Sequence, residues 1–505
     1  MIWEAGHRGS GVWVRSLVFT LLILSSRSFA SNTEPASTDK APSSHPNSIR
    51  TANLERPDLI FVQAPKVESY SAKVRFPQGS RLVRLGGKGN PREVTTLTTE
   101  LFAAADPQIS FDGLRVIFSG QKLNTERWQI WEMKIDGTEK KQITNCAEDC
   151  FRPAYLPDDE VVFTVAGVQG SGESRYLAVT KRDGSTRRRI TVGPGGWRVE
   201  TVLRDGRVVA SATSPLTESA GDSRARLFYT LRPDGTALDS LRCEHKEMAV
   251  RSEASELEDG SFVFVKSSKD GEYGGALTEI QQGDLNENEL RQRNERYSSP
   301  QQISGESLIV ARKSNSAAKP DSKFELYAFD LKQKTLSQKI YGDEKLNSIQ
   351  AVPVVKRATP NRFWSMVSSE SKSGYLISLD SYASADEPNG RIGRPITSVR
   401  VWTLQPGTQK EVVLGEAPVE KDGSFYVEVP ADQPVRFELL DAAGQTIRME
   451  RGWIWSRAGE QRGCAGCHGD KAVAPENRWP MTLKRFDTPT QFGEKQALTA
   501  GSHEN

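Results

Sequence analysis

Asp106-Pro-Gln-Ile-Ser-Phe-Asp-Gly-Leu-Arg-Val-Ile-Phe118, followed by Trp128-Gln-Ile-Trp-Glu-Met-Lys-Ile-Asp-Gly137, is the stretch on which the fold turns. It reads as a strand, an Asp-Gly turn, a second apolar strand, a loop, a third strand and another Asp-Gly turn. Asp-Gly between alternating runs predicts a hairpin, because both residues accept positive φ. The unit recurs at Leu156-Pro-Asp-Asp-Glu-Val-Val-Phe163 with Lys181-Arg-Asp-Gly184, and at Leu203-Arg-Asp-Gly-Arg-Val-Val-Ala210 with Arg232-Pro-Asp-Gly235. It returns at Glu258-Asp-Gly-Ser-Phe-Val-Phe264 and, more weakly, at Asp58–Val62, Ser307–Val310 and Arg362–Val367. Starts spaced roughly 45–50 residues apart are those of four-stranded propeller blades. The fold class expected is all-β: a multi-bladed propeller of about seven blades, with six or eight as alternatives, over residues 58–390. The repeats resemble those of the Tol-system translocation proteins.

Outward from the propeller the character of the chain changes twice. Residues 397–455 hold Gly415-Glu-Ala-Pro-Val-Glu-Lys-Asp-Gly-Ser-Phe-Tyr-Val-Glu-Val-Pro430 and Val435-Arg-Phe-Glu-Leu-Leu-Asp-Ala-Ala-Gly444. Their period-two alternation predicts a small β-sandwich. Residues 456–485 read as a loop-rich segment and 486–505 as an aperiodic tail. Toward the N-terminus, residues 31–57 are Ser-, Pro- and Thr-rich and read as a disordered linker. Residues 1–30 carry Arg8 and Arg15, the apolar run Leu17–Leu24 and small residues before Ala30. That is the pattern of a cleaved signal peptide, so a periplasmic or secreted protein is expected, with no transmembrane segment after cleavage.

Composition agrees. The chain has 505 residues, 36% hydrophobic content and a net charge of +2. Two or three domains are implied, and the charge balance leaves no footprint for nucleic acid. Five cysteines in an exported chain point to pairing or cofactor binding. Cys146 and Cys150 are close enough for a local disulfide, leaving Cys243 alone, although spacing does not decide it.

Cys464-Ala-Gly-Cys467-His468 carries the chemistry. C-x-x-C-H is the spacing of c-type haem attachment: two thiols add across the haem vinyl groups and the adjacent His reaches the iron as proximal ligand. A chance match in a chain this long is on the order of one in a thousand. One covalent haem c is therefore expected. The competing readings are a zinc site, a thioredoxin-like redox pair and a plain disulfide. The first lacks further ligands, the second a βαβ context, and the third is possible but uncommon at this spacing. Met481 and His503 are the candidates for the distal iron position, each also readable as an ordinary packing or surface residue. His245, Gly167–Gly172 and Arg187–Arg189 read as surface, hairpin loop and solvated face.

Ala417-Pro-Val-Glu-Lys-Asp-Gly-Ser-Phe-Tyr-Val-Glu-Val-Pro-Ala431, together with Gly459-Glu-Gln-Arg-Gly-Cys-Ala-Gly-Cys-His468, resembles the hydrazine synthase alpha subunit family. The resemblance implies a propeller, then this middle domain, then a haem held by Cys464, Cys467 and His468. Family members continue into a further haem-bearing portion, whereas a single motif occurs here, which argues against hydrazine synthesis. The function expected is electron transfer, or a subunit of a redox complex that meets a redox partner protein with the propeller as docking platform. The alternatives are a scaffold that recognises a protein, peptide or sugar with haem secondary, and a haem enzyme acting on a small nitrogen or oxygen species.

Overall fold

The computed structural model describes residues 57–68, 76–86, 92–169, 172–213, 225–241, 249–268, 273–281, 286–290, 295–315, 321–384, 387, 389–406, 408, 410–450, 452–466, 477–484 and 489–492. Cys243, His245, Cys467, His468, His503 and the signal and linker segments lie outside them. The described part is almost entirely strand.

Six four-stranded blades make the propeller. Blade one combines Leu59–Ala64, Arg81–Gly86 and Glu93–Thr96 with Asn347–Pro353 from the far end of the repeat array. Residues Leu59–Ala64 pair antiparallel with Asn347–Pro353, so the first and last strands of the array close the ring. The other blades begin at Ala103–Ile109, Asp149–Leu156, Arg198–Val202, Ala249–Glu256 and Glu295–Ser304, each running outward through successive antiparallel hairpins. Blades four and five touch along a parallel bridge at Arg226 and Val250. Apolar clusters fill the spaces between blades, among them Phe61, Leu82, Phe118 and Met133, and Phe228, Phe264 and Ile280.

There are six blades among the described residues rather than seven, because the copy read at Arg362–Val367 forms no strand. Those residues belong to a strap, residues 354–372, that runs along the turns of blades two to four. Arg357 N donates to Phe111 O at 2.9 Å, Arg362 pairs with Asp158 at 2.6 Å, and Met366 N donates to Asp234 Oδ2 at 3.0 Å.

The Asp-Gly turns form where expected but by a different device. Only the glycine takes positive φ, from 78° at Gly113 to 90° at Gly206. The aspartate stays on the ordinary side of φ and its Oδ1 accepts the N–H two residues on, as at Asp112–Leu114 (3.0 Å), Asp136–Thr138 (2.9 Å) and Asp234–Thr236 (3.0 Å). The turn is therefore a side-chain-braced turn ending in a left-handed glycine. Only Asp158-Asp159 places both residues at positive φ.

The sandwich comprises two sheets. One orders Gln461–Cys464, Ser373–Ser378, Phe425–Pro430 and Thr490–Gln491; the other orders Glu411–Pro418, Ser398–Leu404, Val435–Leu440 and Thr446–Met449. Val399, Val401, Val427, Val429, Val435 and Leu439 interdigitate between them. The strand Ser373–Ser378, which the repeat reading assigns to the propeller, pairs with Phe425–Pro430 of the sandwich. A period-two strand carries no mark of which sheet it will join.

At the propeller axis the six innermost strands repeat one distortion. Asp106, Arg152, Glu253, Ser299 and Gln350 sit at φ of 52–56°, each at a break in strand register. Glu200 occupies the matching place in blade four. These bulges link blade to blade. Asp106 N donates to Gln350 Oε1 (2.8 Å), Glu253 N to Glu200 Oε2 (2.7 Å) and Ser299 N to Glu253 Oε2 (2.7 Å). Arg152 N reaches Ser119 Oγ (2.9 Å), which itself donates to Asp106 Oδ2 (2.8 Å). β-Bulges re-aim side chains, and here they turn one polar residue per blade toward the axis.

Candidate functional site

The residues leading into the C-x-x-C-H motif bind the sandwich to the propeller. Trp455 is only 1% exposed. Its ring stands edge-on to Trp197 of the blade-four side at 5.4 Å, and Nε1 donates to Gly235 O at 3.0 Å. Glu460 accepts from Ala237 N and from Arg457 N, both at 2.8 Å. Arg462 donates to the carbonyls of Trp455 and Leu238, and Arg457 to Arg189 O. Every one of these contacts satisfies a backbone group at the turns of blades three and four, or the approach strand itself. The segment that the sequence presents as loop-like is thus anchored before it reaches the first cysteine.

From that anchor Gln461–Cys464 runs parallel to Ser373–Ser378, with Cys464 opposite Ser378. Leu379 N donates to Cys464 O at 2.9 Å. Cys464 has no disulfide partner among the described residues, and burial pushes its thiol up; Arg462 pulls the other way while Glu450 and Asp239 add to the rise. Gly466 then passes close to the loop Asp380–Ala383: a Cβ there would lie 2.8 Å from Ala383 Cβ and 2.9 Å from Asp380 O. No side chain larger than glycine's fits that gap without movement of the loop.

The same loop holds the other described candidate in the same corner. Asp380 pairs with Arg391 (2.7 Å) and Arg478 (3.3 Å), and Ser381 N donates to Gly423 O at 2.8 Å. The turn Asp422–Ser424 in turn receives Arg478 on Asp422 O (2.8 Å), Met481 N on Asp422 Oδ2 (2.8 Å) and Thr482 N on Ser424 Oγ (3.1 Å). Cys464 and the short helix Met481–Lys484 therefore flank one loop of the sandwich. The Asp422 carboxylate accepts from Met481 N and from both Ser424 N (3.0 Å) and Ser424 Oγ (2.6 Å), and it lies below the usual range despite the opposing effect of burial. Cys467, His468 and His503 fall outside the described residues, and no three His, Cys, Asp or Glu converge as metal ligands among the described ones. Of the donors that a covalently held haem requires, the described residues hold only Cys464, with the glycine-only gap at Gly466 beside it and the Met481-bearing helix across the Asp422–Ser424 turn.

Cys146 and Cys150 are joined by a disulfide. Sequence reasoning left that pairing open and missed the anchors Trp455, Glu460, Arg462 and Asp380. The available signal was Trp453-Ile-Trp455 in a stretch otherwise read as loop, since two tryptophans at a spacing of two mark a face that needs covering.

Comparison with known proteins follows the same division of the chain. The family model of the hydrazine synthase alpha subunit middle domain matches residues 387–469. The hydrazine synthase subunit alpha of Kuenenia stuttgartiensis is 32% identical over 123 residues, which is 24% of this chain and 14% of that protein. The solved hydrazine synthase of the same organism superposes with a TM-score of 0.73 at 19% identity, covering 85% of this chain and 71% of that one, and this establishes likeness of fold. A TolB from Acinetobacter baumannii aligns at a TM-score of 0.41 and 12% identity over 58% of this chain and 66% of its own, too distant to carry an argument. Residues 387–469, which include the strand bearing Cys464, are thus similar to the hydrazine synthase alpha subunit middle domain, and the β-propeller-plus-sandwich chain shares the fold of the solved hydrazine synthase.

Proposed function

We propose that the chain is an exported protein carrying one c-type haem, attached through Cys464 and Cys467 with His468 as proximal ligand. In this reading it transfers electrons or serves as a subunit of a redox complex, and the propeller is the docking platform for its redox partner. The observation that carries the reading is Cys464, without a disulfide partner among the described residues, on a sandwich strand whose approach Trp455 and Arg462 tie to blade four. A bound haem supplies a one-electron couple. The chain's own residues do the positioning: Trp455 and Glu460 fix the approach strand, Gly466 lets the motif turn against Asp380–Ala383, and Asp422 caps the helix that offers Met481. His503 is the second candidate for the distal position. The matching relative's activity is hydrazine synthesis, but the match spans 14% of that protein and does not assign that reaction here. No described helix is long and apolar enough to cross a membrane.

A second reading, a binding or scaffold protein with haem secondary, is favoured by the polar cavity at the propeller axis. The test is covalent haem content after expression with the haem-attachment machinery, read as intact mass and reduced absorption spectrum. A gain of one haem, lost in Cys464→Ala/Cys467→Ala, supports the cytochrome reading. An unmodified mass with a Cys464–Cys467 disulfide overturns it and leaves the scaffold reading.

A further inference from the structure

The axial cavity lies far from the C-x-x-C-H motif in the chain and is built from different elements. It is a small, partly open hollow, and each of the six innermost strands contributes to its wall.

The charge at its wall is unevenly matched. Arg152 is engaged by Glu200 at 2.8 Å. Glu253 is 8% exposed, and every partner of its carboxylate is neutral: Ser299 N (2.7 Å), Ser298 Oγ (2.9 Å), Tyr273 Oη (3.2 Å) and Ser299 Oγ (3.3 Å). Among the described residues no cation pairs with it. Buried carboxylates are ordinarily matched by a cation or a metal, because taking a charge out of water costs more than neutral hydrogen bonds return. Two further groups at the wall are unspent. The side-chain amides of Gln108 and Gln301, from blades two and six, border the cavity and hydrogen-bond to no described residue. Each amide offers one carbonyl acceptor to a ligand at that wall.

We infer that the propeller's axial cavity binds a small organic ammonium ion, its cationic head seated on Glu253 and its N–H donors shared with Gln108 and Gln301. An ammonium head brings one positive charge and three donors. Those are what a buried carboxylate with neutral partners and two free amide carbonyls lack. A metal ion is the poorer fit, since no three acidic, His or Cys side chains among the described residues come together as ligands. The φ of about +50° at five of the six bulges is consistent with a wall held in a costly conformation for binding.

The test uses the full chain and titrates methylammonium and putrescine by calorimetry, with acetate and calcium chloride as contrasts. Saturable binding of an ammonium probe is expected. Glu253→Gln keeps the shape and an acceptor oxygen, and is expected to weaken binding about tenfold or more, the worth of a charged hydrogen bond. Gln301→Leu alters a side chain with no hydrogen-bond partner among the described residues and is expected to weaken it by a smaller factor; it decides the matter if Glu253→Gln fails to fold. Cys464→Ala is expected to leave binding unchanged, which separates this site from the haem reading. Absence of saturable ammonium binding overturns the inference. So does undiminished binding in both cavity variants, or binding of calcium in place of the ammonium probes.

Discussion

Individual residues show how unevenly stability is distributed along this chain. Trp455 buries a large ring, meets Trp197 edge to face and donates to Gly235 O, all across a domain boundary. Trp455→Ala is expected to cost about 3–5 kcal/mol, the usual range for emptying a buried aromatic site. Trp455→Phe keeps most of the packing and is expected to cost about 1–2 kcal/mol for the orphaned carbonyl. Chemical denaturation followed by Trp fluorescence distinguishes the two, and equal costs for both would show that packing contributes little. The disulfide Cys146–Cys150 closes a loop with a sequence separation of 4. So short a loop restrains little of the unfolded chain, and its removal by paired serine substitution is expected to cost no more than about 2 kcal/mol. The residues Cys464 and Met481 were legible as candidates because their chemistry is written in side-chain type. Arg462 and Glu460 were not, because nothing local announces that a charged side chain will spend itself on the backbone of a blade more than two hundred residues earlier.

At the scale of elements the turns and the strap are the telling cases. Gly235 sits at φ 86°, and a Cβ on it would fall 2.4 Å from Ile190 O. Gly235→Ala is thus expected to destabilise by well over the roughly 1 kcal/mol of a simple left-handed penalty, because Ile190 O belongs to the neighbouring blade. Gly444→Ala provides the control: φ is 73° but nothing lies within 4 Å, so only the conformational cost is expected. Thermal melts of the two variants give the comparison directly.

The strap depends on a carboxylate. Burial acts to raise the Asp234 carboxyl, yet hydrogen bonds from Thr236, Met366 N and Ser365 more than offset it and hold it below the usual range. A carboxyl depressed in the folded state contributes fully above its unfolded value, near 3.9, and loses that contribution as pH falls through the folded value. Acidification below about pH 4 is therefore expected to release residues 359–368 before the blades unfold. Amide exchange or limited proteolysis along the strap reads this out, and protection that persists to the pH of global unfolding would contradict it. The Asp-Gly turns were readable from sequence, since the brace is two residues long. Their detailed form was not, since the aspartate side chain rather than its backbone conformation does the bracing.

On the scale of the whole molecule, closure and docking dominate. Residues Asn347–Pro353 complete blade one against Leu59–Ala64, almost the whole length of the array away. Loss of that strand leaves Leu59–Ala64, buried throughout, as an open apolar edge. A variant with Ile349→Asp and Ala351→Asp, both essentially unexposed in the closing strand, is expected to abolish cooperative melting and to aggregate. Size-exclusion chromatography and a melting curve would show it, whereas a monomer with one sharp transition would mean that five blades hold without the sixth. The sandwich rests against blades three and four through the segment that precedes Cys464.

The sequence by itself determined what is encoded within a few residues. Alternation sets the strands, Asp-Gly sets the turns, and C-x-x-C-H marks the candidate haem-attachment site. Each of these depends on neighbours in the chain, and neighbours are always present. Only the tertiary structure decided that there are six blades, that Ser373–Ser378 joins the sandwich, that a ring of bulged polar residues faces the axis, and that Trp455 anchors the approach to Cys464. Those outcomes are choices of partner between segments tens to hundreds of residues apart. A strand with period-two alternation can satisfy its hydrogen bonds on many edges, and packing against the rest of the chain selects one.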